Sequence, residues 1–144
     1  MTDQQPSTLQ RLPNWRLHFD QLLCSRLQTN FAWGIFDCCL FAADVVQAVT
    51  GIDPAAPYRG YRGARQGMRL LRSAGGVGAF ATRALGFPVR MDLARVGDVV
   101  LVPAGRRGRD ALGVVISSTE LAVPGGVGLK CAPLWMARHL WAVG

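Results

Sequence analysis

The segment from Asp37 to Gly51 constrains the fold of this chain more than any other part of it. It contains two adjacent cysteines followed by Leu, Phe, Ala, Ala, Asp, Val and Val, and it is mostly apolar on both sides of a helical projection. Asp37 is a good N-cap residue, the alanines favour helix, and Gly51 supplies the left-handed position at which helices end. Since a helix that is apolar all round has to be buried, we predict a central helix from about Asp37 to Thr50.

The remaining pattern predicts helices in the first part of the chain and strands in the last. We expect a helix capped by Asn14 that runs through Leu27, a basic helix over Arg59 to Arg72, and a short helix from about Val77 to Leu85. Strands are then predicted over residues 99–102, 112–116, 120–123, 128–133 and 140–143, with a basic turn at 104–110 between the first two. Helices followed by an antiparallel meander indicate one α+β domain over residues 1–144, with 1–12 as a flexible arm.

Length and composition exclude several classes of protein. The chain has 144 residues, half of them hydrophobic, and a mean hydropathy of +0.20, which excludes intrinsic disorder. The polar N-terminus lacks the pattern of a signal peptide, and no apolar run approaches the length of a membrane helix. We therefore expect no membrane insertion, and synthesis in a reducing cytoplasm where the four cysteines are thiols.

The adjacent cysteines at the start of the predicted central helix are the sharpest chemical feature. A thiol in the first turn of a helix lies near unpaired backbone N–H groups and the positive end of the helix dipole, which stabilise a thiolate. Cys38 is therefore a candidate nucleophile, and the sequence alone does not decide whether Cys38 or Cys39 faces a pocket. The alternative is that both are small buried apolar residues. The cysteine spacing shows neither a disulfide framework nor a zinc signature, so we expect no metal and no cofactor.

These residues resemble a known family of enzymes. The segment from Gly34 to Cys38 resembles the nucleophile motif of the NlpC-type, papain-like cysteine peptidases, which cut the stem peptides of peptidoglycan. The pair Gly97 and Asp98 matches the pair that opens the first core strand in that family, and residues 111–116 resemble its next strand. The resemblance implies a papain-like fold in which N-terminal helices, including a central Cys-bearing helix, pack on a C-terminal antiparallel sheet.

The same resemblance implies a catalytic base that this chain lacks. In active NlpC-type enzymes a histidine stands at the position of Ala111, and a third polar residue stands near the position of Val123. Both positions are apolar here, so the thiol has no base beside it in the motif. His18 and His139 lie outside the matched segments, and His139 could reach the site only if the last strand lay beside the Cys helix. We expect a peptidase fold whose nucleophile, Cys38, is vestigial.

A longer string of residues is similar to small proteins of tailed phages and prophages. It runs from Phe31 to Asp44 and continues in residues 50–54 and 58–60. Such proteins are encoded among tail genes, near the tape measure and the tail-tip hub. The resemblance implies a structural component of the virion tail tip, made in the bacterial cytoplasm, that docks to tail-hub proteins or the tape measure. The alternative is an active cysteine peptidase or amidase that acts on peptidoglycan during host wall penetration.

The net charge of +7 comes almost wholly from arginine, with fifteen arginines against the single Lys130. The largest group is spaced by steps of three and four residues, so its members can share one helical face. Three interpretations remain open for this face: a solvated surface that reflects a preference for arginine codons, a contact surface for an acidic partner protein, and a nucleic-acid site, which the lack of any known binding motif disfavours. The candidate partner-binding residues are Arg59, Arg62, Arg65, Arg69 and Arg72.

Overall fold

A computed structural model describes residues 9–104 and 109–144 and shows an α+β fold. In these described residues four helices precede five strands, and three short 3₁₀ turns lie in the connections. The helices are α1 (Trp15–Arg26), α2 (Cys38–Thr50), α3 (Gly63–Ala74) and α4 (Val77–Leu85). The strands are β1 (Val99–Ala104), β2 (Arg109–Val115), β3 (Glu120–Pro124), β4 (Leu129–Pro133) and β5 (His139–Trp141).

Helix α2 forms as the sequence predicts and is the centre of the fold. The Asp37 side chain accepts a hydrogen bond from the Leu40 N–H at 2.9 Å, which caps the helix start. Gly51 ends the helix in the left-handed region, with φ at +82°. Phe41, Val45 and Val49 are fully buried. Burial on both sides of the helix, rather than packing of one amphipathic face, therefore stabilises its central position.

The five strands form one antiparallel sheet in the order β4-β3-β2-β1-β5. In the register of the central strands, Leu101 of β1 lies between Leu112 of β2 and His139 of β5. The helices cover one face of this sheet, where Leu101, Leu112 and Val114 pack with the buried residues of α2 and α4. The connecting segments cover the other face. Its core is formed by Val100, Val102, Val115, Leu121 and Leu140.

The basic helix begins later than predicted. Helix α3 starts at Gly63, and Arg59 lies four residues before it, after a 3₁₀ turn over Ala56–Tyr58. Gly60 and Gly63 both have positive φ, so the backbone between them turns rather than continuing as a helix. The prediction of one helix from Arg59 to Arg72 was therefore wrong for its first turn.

The predicted N-terminal arm is also partly wrong. Residues 1–8 lie outside the described part of the chain, but Arg11 and Leu12 belong to the folded structure. The Arg11 guanidinium donates hydrogen bonds to the carbonyls of Val96 and Val143 and pairs with the buried carboxylate of Asp98 at 3.0 Å. The arm is fixed from this point because its arginine neutralises a buried charge.

The other predicted elements are close to those observed. The helix over residues 15–26 is capped at Asn14, although the Asn14 side chain makes no capping hydrogen bond. The predicted basic turn at 104–110 is only partly described, because residues 105–108 lie outside the described part of the chain. Ala104 is the last residue of β1, and residues 109 and 110 are the first two of β2. None of the described helices combines the length and the apolar character needed to cross a membrane.

Candidate functional site

A tight turn between Ala32 and Phe36 precedes α2, and the first residues of α2 line a cleft. Ala32 and Phe36 exchange two backbone hydrogen bonds, and Gly34 between them has φ at +83°. A Cβ atom at Gly34 would lie 2.1 Å from the carbonyl oxygen of Tyr61. Only glycine therefore permits this approach of the turn to the segment that leads into α3.

The carboxylate of Asp37 holds this corner together. Besides capping α2 it accepts a hydrogen bond from the Gly34 N–H at 3.0 Å and another from the Tyr61 hydroxyl. Burial of the Tyr61 ring and its hydrogen bond to Asp37 both raise the pKa of the phenol, so Tyr61 remains a neutral donor. One side chain thus fixes the helix start, the preceding turn and the tyrosine that leads into α3.

Of the adjacent thiols Cys38 and Cys39, only Cys38 has a lowered pKa. Their Sγ atoms lie 3.9 Å apart. The hydrogen bond from Cys39 lowers the pKa of Cys38, burial opposes it, and a backbone hydrogen bond from Leu112 lowers the pKa further. The same hydrogen bond and burial raise the pKa of Cys39, which therefore keeps its proton. Both cysteines line the cleft, but Cys39 is buried and Cys38 is half-buried, so Cys38 is the chemically available member of the pair.

The cleft above Cys38 has a volume of about 780 Å³. Helix α3 forms one wall through residues that include Met68, Leu71 and Arg72, and the strands β2 and β3 contribute to the cleft through Asp110, Ala111 and Val123. Aromatic side chains supply much of the remaining surface. They are Phe31, Trp33, Tyr58, Tyr61 and Phe80.

The two positions that the NlpC-type resemblance would assign to a base and its orienting residue both lie at this cleft. Ala111 and Val123 both line it together with Cys38, and neither carries a polar side-chain atom. The side chains of Ala111 and Leu112 pack on opposite faces of the sheet, so strand alternation places Asp110 on the helix-covered face that Leu112 shares. Strand β2 therefore places the carboxylate of Asp110 at the cleft, and no motif or spacing in the sequence predicts this.

Neither histidine lies at the cleft. His18 is on α1, and His139 is exposed on β5. Strand β1 separates β5 from β2, which puts His139 about two strand spacings, roughly 10 Å, from Leu112. His139 is therefore not among the residues that surround Cys38 at the cleft.

The five predicted partner-binding arginines separate into two groups. Arg59 pairs with Asp44 at 2.6 Å and with Asp53 at 2.7 Å, and these contacts raise its pKa and lower that of Asp53. It therefore joins parts of the fold and is not free for a partner. The other four are exposed, and within residues 9–104 and 109–144 their side chains make no ion pair and no hydrogen bond. We call this set the arginine face: Arg62, Arg65, Arg69 and Arg72.

Comparison with known proteins places the chain in a family. The sequence model described as "Domain of unknown function (DUF6950)" matches residues 10–143. The chain belongs to the DUF6950 family. The match spans all four helices and all five strands, so the family domain includes both Cys38 and the cleft. No curated protein matches this DUF6950 chain.

The chemistry available to this DUF6950 site is that of an activated thiol with no histidine among the described residues that line its cleft. Cys38 lies at a helix N-terminus beside two hydrogen-bond donors, which favours a thiolate. The phenol of Tyr61 keeps its proton and donates its hydrogen bond to the Asp37 carboxylate. In the described residues there is no group of three or more His, Cys, Asp or Glu side chains that could hold a metal ion. The site can therefore present a nucleophile and bind apolar groups in the cleft beside it.

Proposed function

We propose that this DUF6950 chain is a structural component of a phage tail tip, built on a degenerate NlpC-type, papain-like cysteine-peptidase fold, that docks to tail-hub proteins. The observation that carries the proposal is the cleft itself. Cys38 lines it, but the positions matched to the base and its orienting residue are Ala111 and Val123. The architecture of a helix bearing Cys38 against β2 of an antiparallel sheet is consistent with such a core.

Loss of the base matters for peptide hydrolysis in particular. An amide is cleaved only if the leaving amine receives a proton, and a positioned acid–base group typically contributes about 10² to 10⁴ in rate. A thiolate at the Cys38 position could attack, but nothing at Ala111 could return the proton. The cleft is therefore better suited to binding a polypeptide than to hydrolysing one.

The surface supports a role in assembly. Three large apolar side chains are unusually open, with Trp135 82%, Ile35 75% and Phe87 68% exposed. The arginine face adds exposed positive charge on α3 and at the residue before it, with no ion pair to any described carboxylate. Apolar side chains and unpaired arginines of this kind are common where one protein contacts another.

Co-expression tests the proposal. The chain would be produced with each tail-tip and tape-measure protein encoded beside its gene, and complexes would be isolated through a tag on the partner. We expect a stoichiometric complex with a hub protein, weakened by Trp135→Ser. A chain that remains a monomer with every tail protein contradicts the proposal.

The alternative is an active peptidoglycan cysteine peptidase, and one observation favours it. The pKa of Cys38 is lowered, chiefly by the hydrogen bond from Cys39, as an enzyme nucleophile requires. Release of stem-peptide fragments from purified peptidoglycan, abolished by Cys38→Ala, would establish this alternative. Equal product release by the Cys38→Ala variant would assign any activity to a contaminant.

A further inference from the structure

The arginine face adjoins the cleft along one edge of α3. Arg72 lines the cleft itself, next to Leu71. Arg65 and Arg69 continue from Arg72 at steps of four and three residues, so the three side chains are neighbours on the helix surface. A single ligand can therefore contact the apolar cleft and these exposed guanidinium groups together.

The position of α3 against the cleft is fixed by a close approach. A Cβ atom at Gly67 would lie 3.0 Å from the Tyr61 ring and 3.3 Å from the Trp33 ring. The helix therefore rests directly on the two aromatic residues that line the cleft. The arginines on its outer side are held at a defined place on the rim.

We propose that the cleft and the arginine face together bind an acidic segment of a partner polypeptide, with large apolar side chains of that segment in the cleft and its carboxylates against Arg65, Arg69 and Arg72. The proposal rests on the proposed function, because the partner would be a tail protein. Charge complementarity selects the acidic character, since these guanidinium groups are exposed and have no carboxylate of their own among the described residues.

Two features favour a polypeptide over a nucleic acid as the occupant. The cleft is lined chiefly by apolar and aromatic side chains, which suit Leu, Phe or Met anchors. Asp110 of β2 also lines the cleft and contributes a carboxylate there. A nucleic acid carries a negative charge at every nucleotide and would bring phosphates near Asp110. A peptide can place its carboxylates on the α3 side alone.

Synthetic peptides test the proposal with the full-length chain. Three 16-residue peptides would be compared by fluorescence anisotropy: one of Glu with Leu and Phe at helical spacing, one with those apolar residues replaced by Ser, and one with Glu replaced by Lys. A 16-nucleotide single-stranded DNA would be included. We expect saturable binding of the acidic apolar peptide alone, weakened by rising salt because the guanidinium contacts are exposed.

Matched charge variants locate the contact. The double variant Arg65→Glu, Arg69→Glu should weaken binding about tenfold or more, since it replaces two attractive contacts by repulsive ones. The control variant Arg83→Glu, Arg138→Glu changes two other exposed arginines and gives the same net charge, so it should bind within about twofold of the parent chain. Met68→Asp, which puts a carboxylate in the cleft, should also weaken binding about tenfold or more.

These binding experiments distinguish failure of the acidic-peptide site from failure of the tail-tip role. Equal weakening by both double variants, binding of the Lys peptide, or tighter binding of the DNA would overturn the inference. So would the absence of binding to every peptide. Each of these results leaves a complex with a hub protein through another surface intact. Peptide binding without any tail-protein complex would instead retain the site and reject the tail-tip role.

Discussion

Replacing Asp37 by Ala should unfold the start of α2 and cost about 3 kcal/mol of the free energy of unfolding. Loss of an N-cap side chain costs about 1 kcal/mol. The Gly34 N–H and the Tyr61 hydroxyl lose their acceptor at the same time, and an unsatisfied donor costs about 1 kcal/mol when it is partly buried, as these are. Asp37 itself is only 1% exposed, so water does not readily replace the carboxylate.

Two further variants make this estimate specific. Asp37→Asn retains one oxygen for the Leu40 N–H but puts an NH₂ group where Gly34 donates, so it should cost about 1 to 2 kcal/mol. Asp20→Ala removes an exposed ion pair with Arg16 and should change stability by about 0.5 kcal/mol or less. Urea unfolding followed by tryptophan fluorescence measures all three. A loss below about 1 kcal/mol for Asp37→Ala, or equal losses for the Ala and Asn variants, would refute the role assigned to this carboxylate.

The Gly34 turn, the Arg11–Asp98 ion pair and the Cys38–Cys39 pair each give a further testable expectation. Gly34→Ala should cost more than about 3 kcal/mol, because strain at positive φ adds to a clash with backbone, whereas Gly60→Ala, which has open space, should cost about 1 to 2 in the same urea assay. Arg11→Ala should cost about 3 kcal/mol or more, seen as a lower thermal midpoint, because it strips a buried carboxylate of its cation; an unchanged midpoint would count against that. Iodoacetamide should modify Cys38 fastest of the four cysteines at neutral pH, since a lowered pKa gives more thiolate, with the rate falling as the pH drops through that pKa. Cys39→Ala should move this pH profile upward, and an unmoved profile would contradict the pairing.

Local signals in the sequence were sufficient for most of the elements. The cap at Asp37 and the glycine at Gly51 predicted α2 because capping and left-handed termination depend on residues next to the helix. The β-branched runs predicted the strands for a similar reason, and five antiparallel strands are present. The first turn of the basic helix failed because arginine spacing alone does not show where Gly60 and Gly63 interrupt the backbone.

The site depends on contacts that the sequence does not show. Tyr61 reaches Asp37 across 24 positions, and no spacing rule connects the two. Arg59 fits the three- and four-residue spacing of the arginines on α3. It forms ion pairs with Asp44 and Asp53 instead, because the chain turns before the helix begins. Asp110 comes to the cleft through strand alternation and the placement of β2 against α2, which only the packed sheet determines.

The most direct test of the account is mass spectrometry of the purified chain incubated with peptidoglycan stem-peptide fragments. We expect intact fragments and no new amino groups, because Cys38 has no proton carrier at the position of Ala111. Multiple turnovers of fragment cleavage that disappear in the Cys38→Ala variant would contradict it, and would show that the cleft is the active site of a working peptidase.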